Sequence, residues 1–174
     1  MKSKIAAVVV AALLGTLLAA APAGARASGS LGPLGVPVVD APFTGRSGQP
    51  GTFDGTLWVE RFEATDGGLV LVGELMGLAT FSGGDTAALE GGDVVVPVTI
   101  VEANCDAAVL AAGDATVAGF GTADLSATDV ALSEGPRGVR CALGRVVAAG
   151  GATAAQAALL DQIVDANARR ASGG

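Results

Sequence analysis

From residue 53 onward apolar and polar positions alternate, first with the period of a strand and near the end with that of a helix. Phe53 to Glu63 predicts a strand with Leu57 and Val59 on one side and Trp58, Glu60 and Phe62 on the other. Asp66-Gly67-Gly68 predicts a hairpin turn. Leu69 to Phe81 predicts a second strand, apolar on both sides: Leu69, Leu71, Leu75, Ala79 and Phe81 against Val70, Val72, Met76 and Leu78. Two apolar faces place this strand centrally in a sandwich. Gly73 and Gly77 leave room for a neighbour's bulky side chain or mark a bend. Ser82 to Gly92 reads as a loop. Asp93 to Ala103 reads as a third strand, with Val94, Val96, Val98 and Ile100 in one stripe. Pro97 faces the other way and has no N–H to donate, so this strand is an edge or carries a bulge.

Four shorter strands follow: Ala108 to Ala111, Asp114 to Ala118, Thr122 to Ser126, and Asp129 to Ser133, with Gly113, Gly119 and Gly121 between them. Their even spacing predicts a mainly β fold, an antiparallel sandwich or partly closed barrel. Past Gly135-Pro136 the period changes. Val139, Leu143, Val146 and Val147 predict one helix, with Pro136 in its first turn. Leu159, Leu160, Ile163 and Val164 predict a second after Gly150-Gly151, with Thr153 and Gln156 as a capping box. Arg169 and Arg170 suit the negative end of its dipole. The single β-rich domain then spans residues 53–168, with a frayed tail at 169–174.

Upstream the pattern is different. Lys2 and Lys4 precede an apolar run from Ile5 to Ala21, Pro22 ends it, and Ala25-Arg26-Ala27 supplies small residues for cleavage. Residues 1–27 therefore read as a secretory signal peptide, with a mature chain starting at Ser28. An uncleaved membrane anchor is the alternative. No cysteine follows the run, so a lipid anchor is not indicated. Residues 28–52, rich in proline and glycine, read as a linker, mostly disordered, in which Val36, Val38 and Val39 could form a short edge strand.

Cleavage changes the charge. The whole chain carries 10 basic and 17 acidic residues, net −7. The mature chain keeps 7 arginines, no lysine and all 17 acids, net −10. Such a charge disfavours nucleic acid and anionic lipid as partners. An exported chain also allows Cys105 and Cys141, the only cysteines, to form a disulfide. Closing that loop of 36 residues stabilises by about 4 kcal/mol in the chain-entropy account. The Cα atoms should then lie about 4.4 to 6.8 Å apart. Two buried free thiols are the alternative.

The run Phe53, Gly55, Leu57, Val59, Phe62, then Gly68-Leu69-Val70-Leu71-Val72-Gly73, Leu75 and Gly77, resembles the start of a family of secreted bacterial proteins. Cys105-Asp106, Gly113, Gly121, Leu125, Val130, Leu132 and Cys141 can be laid on the rest of that pattern, over residues 53 to 149. The resemblance implies a β-rich fold and export. It implies no activity, because that family has none assigned.

The chemistry is bounded by what is missing. The chain has no histidine, so neither a Ser-His-Asp triad nor a Cys-His pair can form, and the usual zinc sites are excluded. A mature chain without lysine excludes Schiff-base chemistry and Walker-type phosphate binding. Gly119-Phe120-Gly121 lacks the third glycine of a dinucleotide loop. Two arrangements remain. Glu60 and Glu74 across the first hairpin could act as the carboxylate pair of a glycan hydrolase, although Trp58 is the only indole available as a sugar platform. Asp85, Glu90 and Asp93 or Asp114 could collect calcium, without the usual loop spacing. The expectation is a secreted, non-enzymatic β-domain with a binding or structural role at or outside the cell envelope, without cofactor or metal. Its candidate partners are an envelope component or a small apolar ligand held among small side chains.

Overall fold

The computed structural model describes residues 34–172. Residues 1–33, where the expected signal peptide and the first part of the expected linker fall, and residues 173–174 lie outside the described residues. Eight strands are followed by two helices: β1 Leu34–Gly45, β2 Pro50–Thr65, β3 Gly68–Phe81, β4 Thr86–Ala103, β5 Ala108–Ala112, β6 Asp114–Val117, β7 Gly121–Asp124, β8 Asp129–Leu132, α1 Arg137–Ala148 and α2 Thr153–Ser172. The strands form one antiparallel sheet in the order β6-β7-β1-β2-β3-β4-β5-β8. The sheet curls into a partly closed barrel, the second of the two architectures the pattern allowed.

Bulges explain the curl. The register shifts between Val38 and Ala41, Val59 and Arg61, Leu75 and Gly77, and Ile100 and Glu102. Each such irregularity bends its strand and increases the local twist. The curl brings β6 round against β4, while the Gly113 N–H, which donates to the Pro97 carbonyl at 2.8 Å, extends the β4–β5 ladder by one position. A Cβ on Gly92 would lie 2.5 Å from Val117 Cγ1, so the glycine admits that side chain. α2 packs mainly on β2, with α1 beside it.

The core lies inside the curl. Phe53, Leu57, Leu71, Leu75, Leu110, Leu125, Leu132, Leu143, Leu160 and Ile163 are all fully buried. At one end Phe43 gathers Phe53, Phe81 and Phe120 around it, with ring centroids 6.0, 5.8 and 5.3 Å away. Gly77 does leave room for a neighbour: the Phe53 ring lies over Gly77 and its cross-strand partner Gly55, where a Cβ on either would come within 2.8 Å of the ring.

Several sequence expectations are corrected. The supposed linker contains β1 and the start of β2. Val36 and Val38 face inward, Val39 and Asp40 form a bulge, and Ala41 and Phe43 face inward again. The Asp40 N–H donates to Asp54 Oδ1 at 2.9 Å there. Alternation is therefore broken in the middle, and the chain does not look like one strand. Pro37 and Pro42 are tolerated because β7 pairs only with Phe43 to Gly45 on that edge of β1.

The Ser82–Gly92 loop shrinks to a turn, because β4 starts at Thr86 and bulges at Glu90-Gly91 opposite Met76. β4 is not an edge strand, although it carries bulges; Pro97 sits just before the β5 ladder, which starts at Val98. Phe62 is buried in the core, not turned outward, because the bulge at Glu60 reverses the facing of the residues after it. β3 is central, but among the described residues no second sheet lies over its outer face. The tail expected from residue 169 is helical to Ser172. The four short strands match β5 to β8 closely. The disulfide joins Cys105 to Cys141 with 4.1 Å between Cα atoms, slightly nearer than expected.

Candidate functional site

Among the described residues no polar or charged residue is buried. The convex face of the sheet is the part of the surface least accounted for by folding. It is built on β3, whose inward residues Leu69, Leu71, Leu75 and Ala79 are buried. The residues between them, Val70, Val72, Glu74, Met76 and Leu78, turn outward by the two-residue period of a strand. Register extends this stripe sideways. On β4, Pro97 lies opposite Val70, Val95 opposite Val72 and Ala88 opposite Leu78. On β2, Trp58 lies opposite Glu74. Val95 is 59% exposed, Leu78 43% and Met76 37%. The Trp58 ring is half-buried because it lies on Gly35 of β1, 2.7 Å from where a Cβ there would be.

Acids interrupt this apolar surface. Glu74 and Asp93 are directly opposed on β3 and β4, with Glu90 in the adjoining bulge. Like charges opposed across strands are destabilising. Gly91 accommodates Glu74, whose Oε1 occupies the space a Cβ on Gly91 would need. Arg61, the only basic residue of β2, β3 and β4, is held by Glu63 at 2.6 Å and Glu60 at 3.5 Å. Among the described residues no ion pair reaches Glu74 or Asp93.

The wider distribution is just as uneven. Residues 34–133, the sheet and its turns, hold 14 acids and 2 arginines, net −12. Residues 134–172, the helical end, hold 5 arginines and 3 acids, net +2.

The residues expected to carry chemistry are placed as follows. Glu60 is turned to Arg61 in the β2 bulge, while Glu74 lies against Gly91 on the far side of β3. Asp85 is in the β3–β4 turn, Glu90 and Asp93 are on β4, and Asp114 begins β6 opposite Asp124. Among the described residues, no three acids or cysteines come together as a metal site would need. Hydrogen bonds from Ser126 hold Asp124 below the ordinary carboxylate pKa. Cys105 and Cys141 are joined and carry no free thiol. The room over Gly77, which a small apolar ligand could have used, is taken by Phe53.

Two further groups have no counterpart among the residues singled out from the sequence. Asp161 on α2 accepts the Phe62 N–H at 2.6 Å, just where β1 no longer borders β2. Burial raises its pKa, against the opposing pull of that hydrogen bond. Asn167 lines a groove of about 320 Å³ between the start of β1, the end of β8 and α2, and its Oδ1 is buried without a hydrogen bond. Neither position has a local sequence signal, because each depends on how α2 lies across the sheet.

No family model, curated protein or solved structure matches the chain. The resemblance in glycines and aliphatics therefore supplies no function. No helix among the described residues is long and apolar enough to cross a membrane.

Proposed function

We propose that the chain is exported and acts by binding, as a non-enzymatic β-domain at or outside the cell envelope, with the convex face of β2, β3 and β4 as its contact surface. The observation that carries this reading is the outward face on which Met76, Leu78 and Val95 are exposed, with half-buried Val72 of β3 beside Val95 of β4. Exposed apolar residues gathered on one face mark interaction surfaces. Support for export comes from the apolar N-terminal run, the small-residue cleavage site and the disulfide.

The test uses protein recovered from the growth medium and envelope material from the producing cell. The protein should begin at Ser28 and sediment with the envelopes. Leu78→Asp combined with Val95→Asp should release it without changing the far-UV circular dichroism. Recovery of a chain still starting at Met1 would overturn export. Sugar release from envelope glycans, abolished by Glu60→Gln or Glu74→Gln, would replace binding with hydrolysis.

A further inference from the structure

Granting that the convex face is a contact surface, we infer that its partner is a protein surface that sets arginine or lysine among aliphatic side chains. Three cross-strand positions are neighbours on this face. Val72 faces Val95, Glu74 faces Asp93, and Met76 faces the bulge at Glu90-Gly91. Apolar contacts thus flank a pair of opposed carboxylates with no cation of their own among the described residues. Arg61, the only arginine of β2, β3 and β4, is already held by two glutamates.

In the free protein, water screens this pair and the repulsion is modest. Covering the face with a neutral apolar surface would remove that screening and strip water from two unpaired charges, which is strongly unfavourable. Covering it with a second copy of the same face would also oppose two sheets of net −12 each. Anionic lipid and nucleic acid meet the same repulsion. A partner that brings a cation to Glu74 and Asp93, and aliphatics to Val72, Val95 and Met76, satisfies both components together.

Trp58 makes the face observable. It is the only tryptophan and lies opposite Glu74 in the same row. The experiment titrates the full mature protein with three synthetic peptides of alternating sequence: arginine–valine, glutamine–valine and glutamate–valine. Tryptophan emission is the readout. The arginine–valine peptide should shift the emission saturably, more weakly as salt rises. The other two should not. Glu74→Gln with Asp93→Asn should weaken binding about tenfold at low salt.

Asp114→Asn with Asp124→Asn removes an equal charge from the sheet edge and should leave the titration unchanged. Equal weakening by both double variants would mean attraction to total charge, and would overturn the inference. So would equal binding of the glutamine peptide, or dimerisation that alone shifts Trp58. If Leu78→Asp and Val95→Asp abolish envelope binding while Glu74→Gln and Asp93→Asn leave it intact, the contact surface stands and the basic partner falls. If neither pair matters for envelope binding, the contact surface itself falls.

Discussion

At the scale of single residues, the informative contact is Asp161 with Phe62. β1 begins at Leu34 opposite Val59, so the N–H of Phe62 lies beyond the end of that ladder. The Asp161 carboxylate takes it at 2.6 Å. Asp161→Ala should therefore cost about 1 to 3 kcal/mol, because a donor at a buried residue loses its acceptor. Asp161→Asn can retain an acceptor and lose only the charge. Burial, the largest influence, puts the folded pKa of Asp161 above its unfolded value. Between those two values the folded state holds more protons, so stability falls as pH rises. The contribution is complete below the unfolded pKa and is lost as pH passes the folded one. In urea unfolding the Asn variant should equal or exceed the wild type at neutral pH, with a smaller advantage in acid. An advantage that does not change with pH would contradict the raised pKa. Nothing in the sequence points to this contact, because Phe62 comes to face the core only through the bulge at Glu60, and bulges leave no reliable mark in an alternating pattern.

At the scale of elements, legibility follows regularity. β5 to β8 are short and unbulged, so simple alternation located them to within about two residues, an ordinary boundary error. β1 and the first part of β4 each contain a bulge, and in both the broken alternation hides the strand from a sequence pattern. The start of α2 shows a smaller displacement. The Ala152 carbonyl accepts the first helical bonds, from Ala155 at 2.9 Å and Gln156 at 3.2 Å, so Ala152 is the N-cap and Thr153 is inside the helix. Gln156 Nε2 donates to the Gly151 carbonyl at 2.9 Å, and no capping box forms. Thr153→Ala should then change stability by less than about 0.5 kcal/mol, against the larger loss expected for an N-cap residue. The joint between the helices depends more on Gly150. It has φ of 64° and donates to Val147, while Gly151 donates to Val146, the two bonds of a Schellman ending. Gly150→Ala would meet no atom within 4 Å, so its cost is that of the left-handed backbone, about 1 to 2 kcal/mol. Thermal melts of the two variants should rank them in that order, and the reverse ranking would restore Thr153 as the cap.

At the scale of the whole molecule, two cysteines and a charge count were the most readable features, since neither depends on register. The split between an acidic sheet and a basic helical end is likewise written in the sequence, but its meaning needs the sheet order that sets Glu74 against Asp93. The disulfide joins these two parts. Cys105 follows β4 and Cys141 lies on α1, so the bond ties the helical end to the sheet across 36 residues. It is not the only tie. Arg140 Nε donates to the Cys105 carbonyl at 3.2 Å and its Nη1 to the Gly135 carbonyl at 2.7 Å. Gly144 lets α1 approach so closely that a Cβ there would lie 2.8 Å from the Ala103 carbonyl oxygen. With those contacts in place, the main effect of the bond is to restrict the unfolded chain through β5 to β8. Reduction, or Cys105→Ser with Cys141→Ser, should cost about 2 to 5 kcal/mol and lower the unfolding midpoint. Native circular dichroism should be unchanged at low temperature, because Arg140 and Gly144 still hold α1 in place. Loss of helical signal before global unfolding would show instead that the covalent bond alone keeps α1 on the sheet.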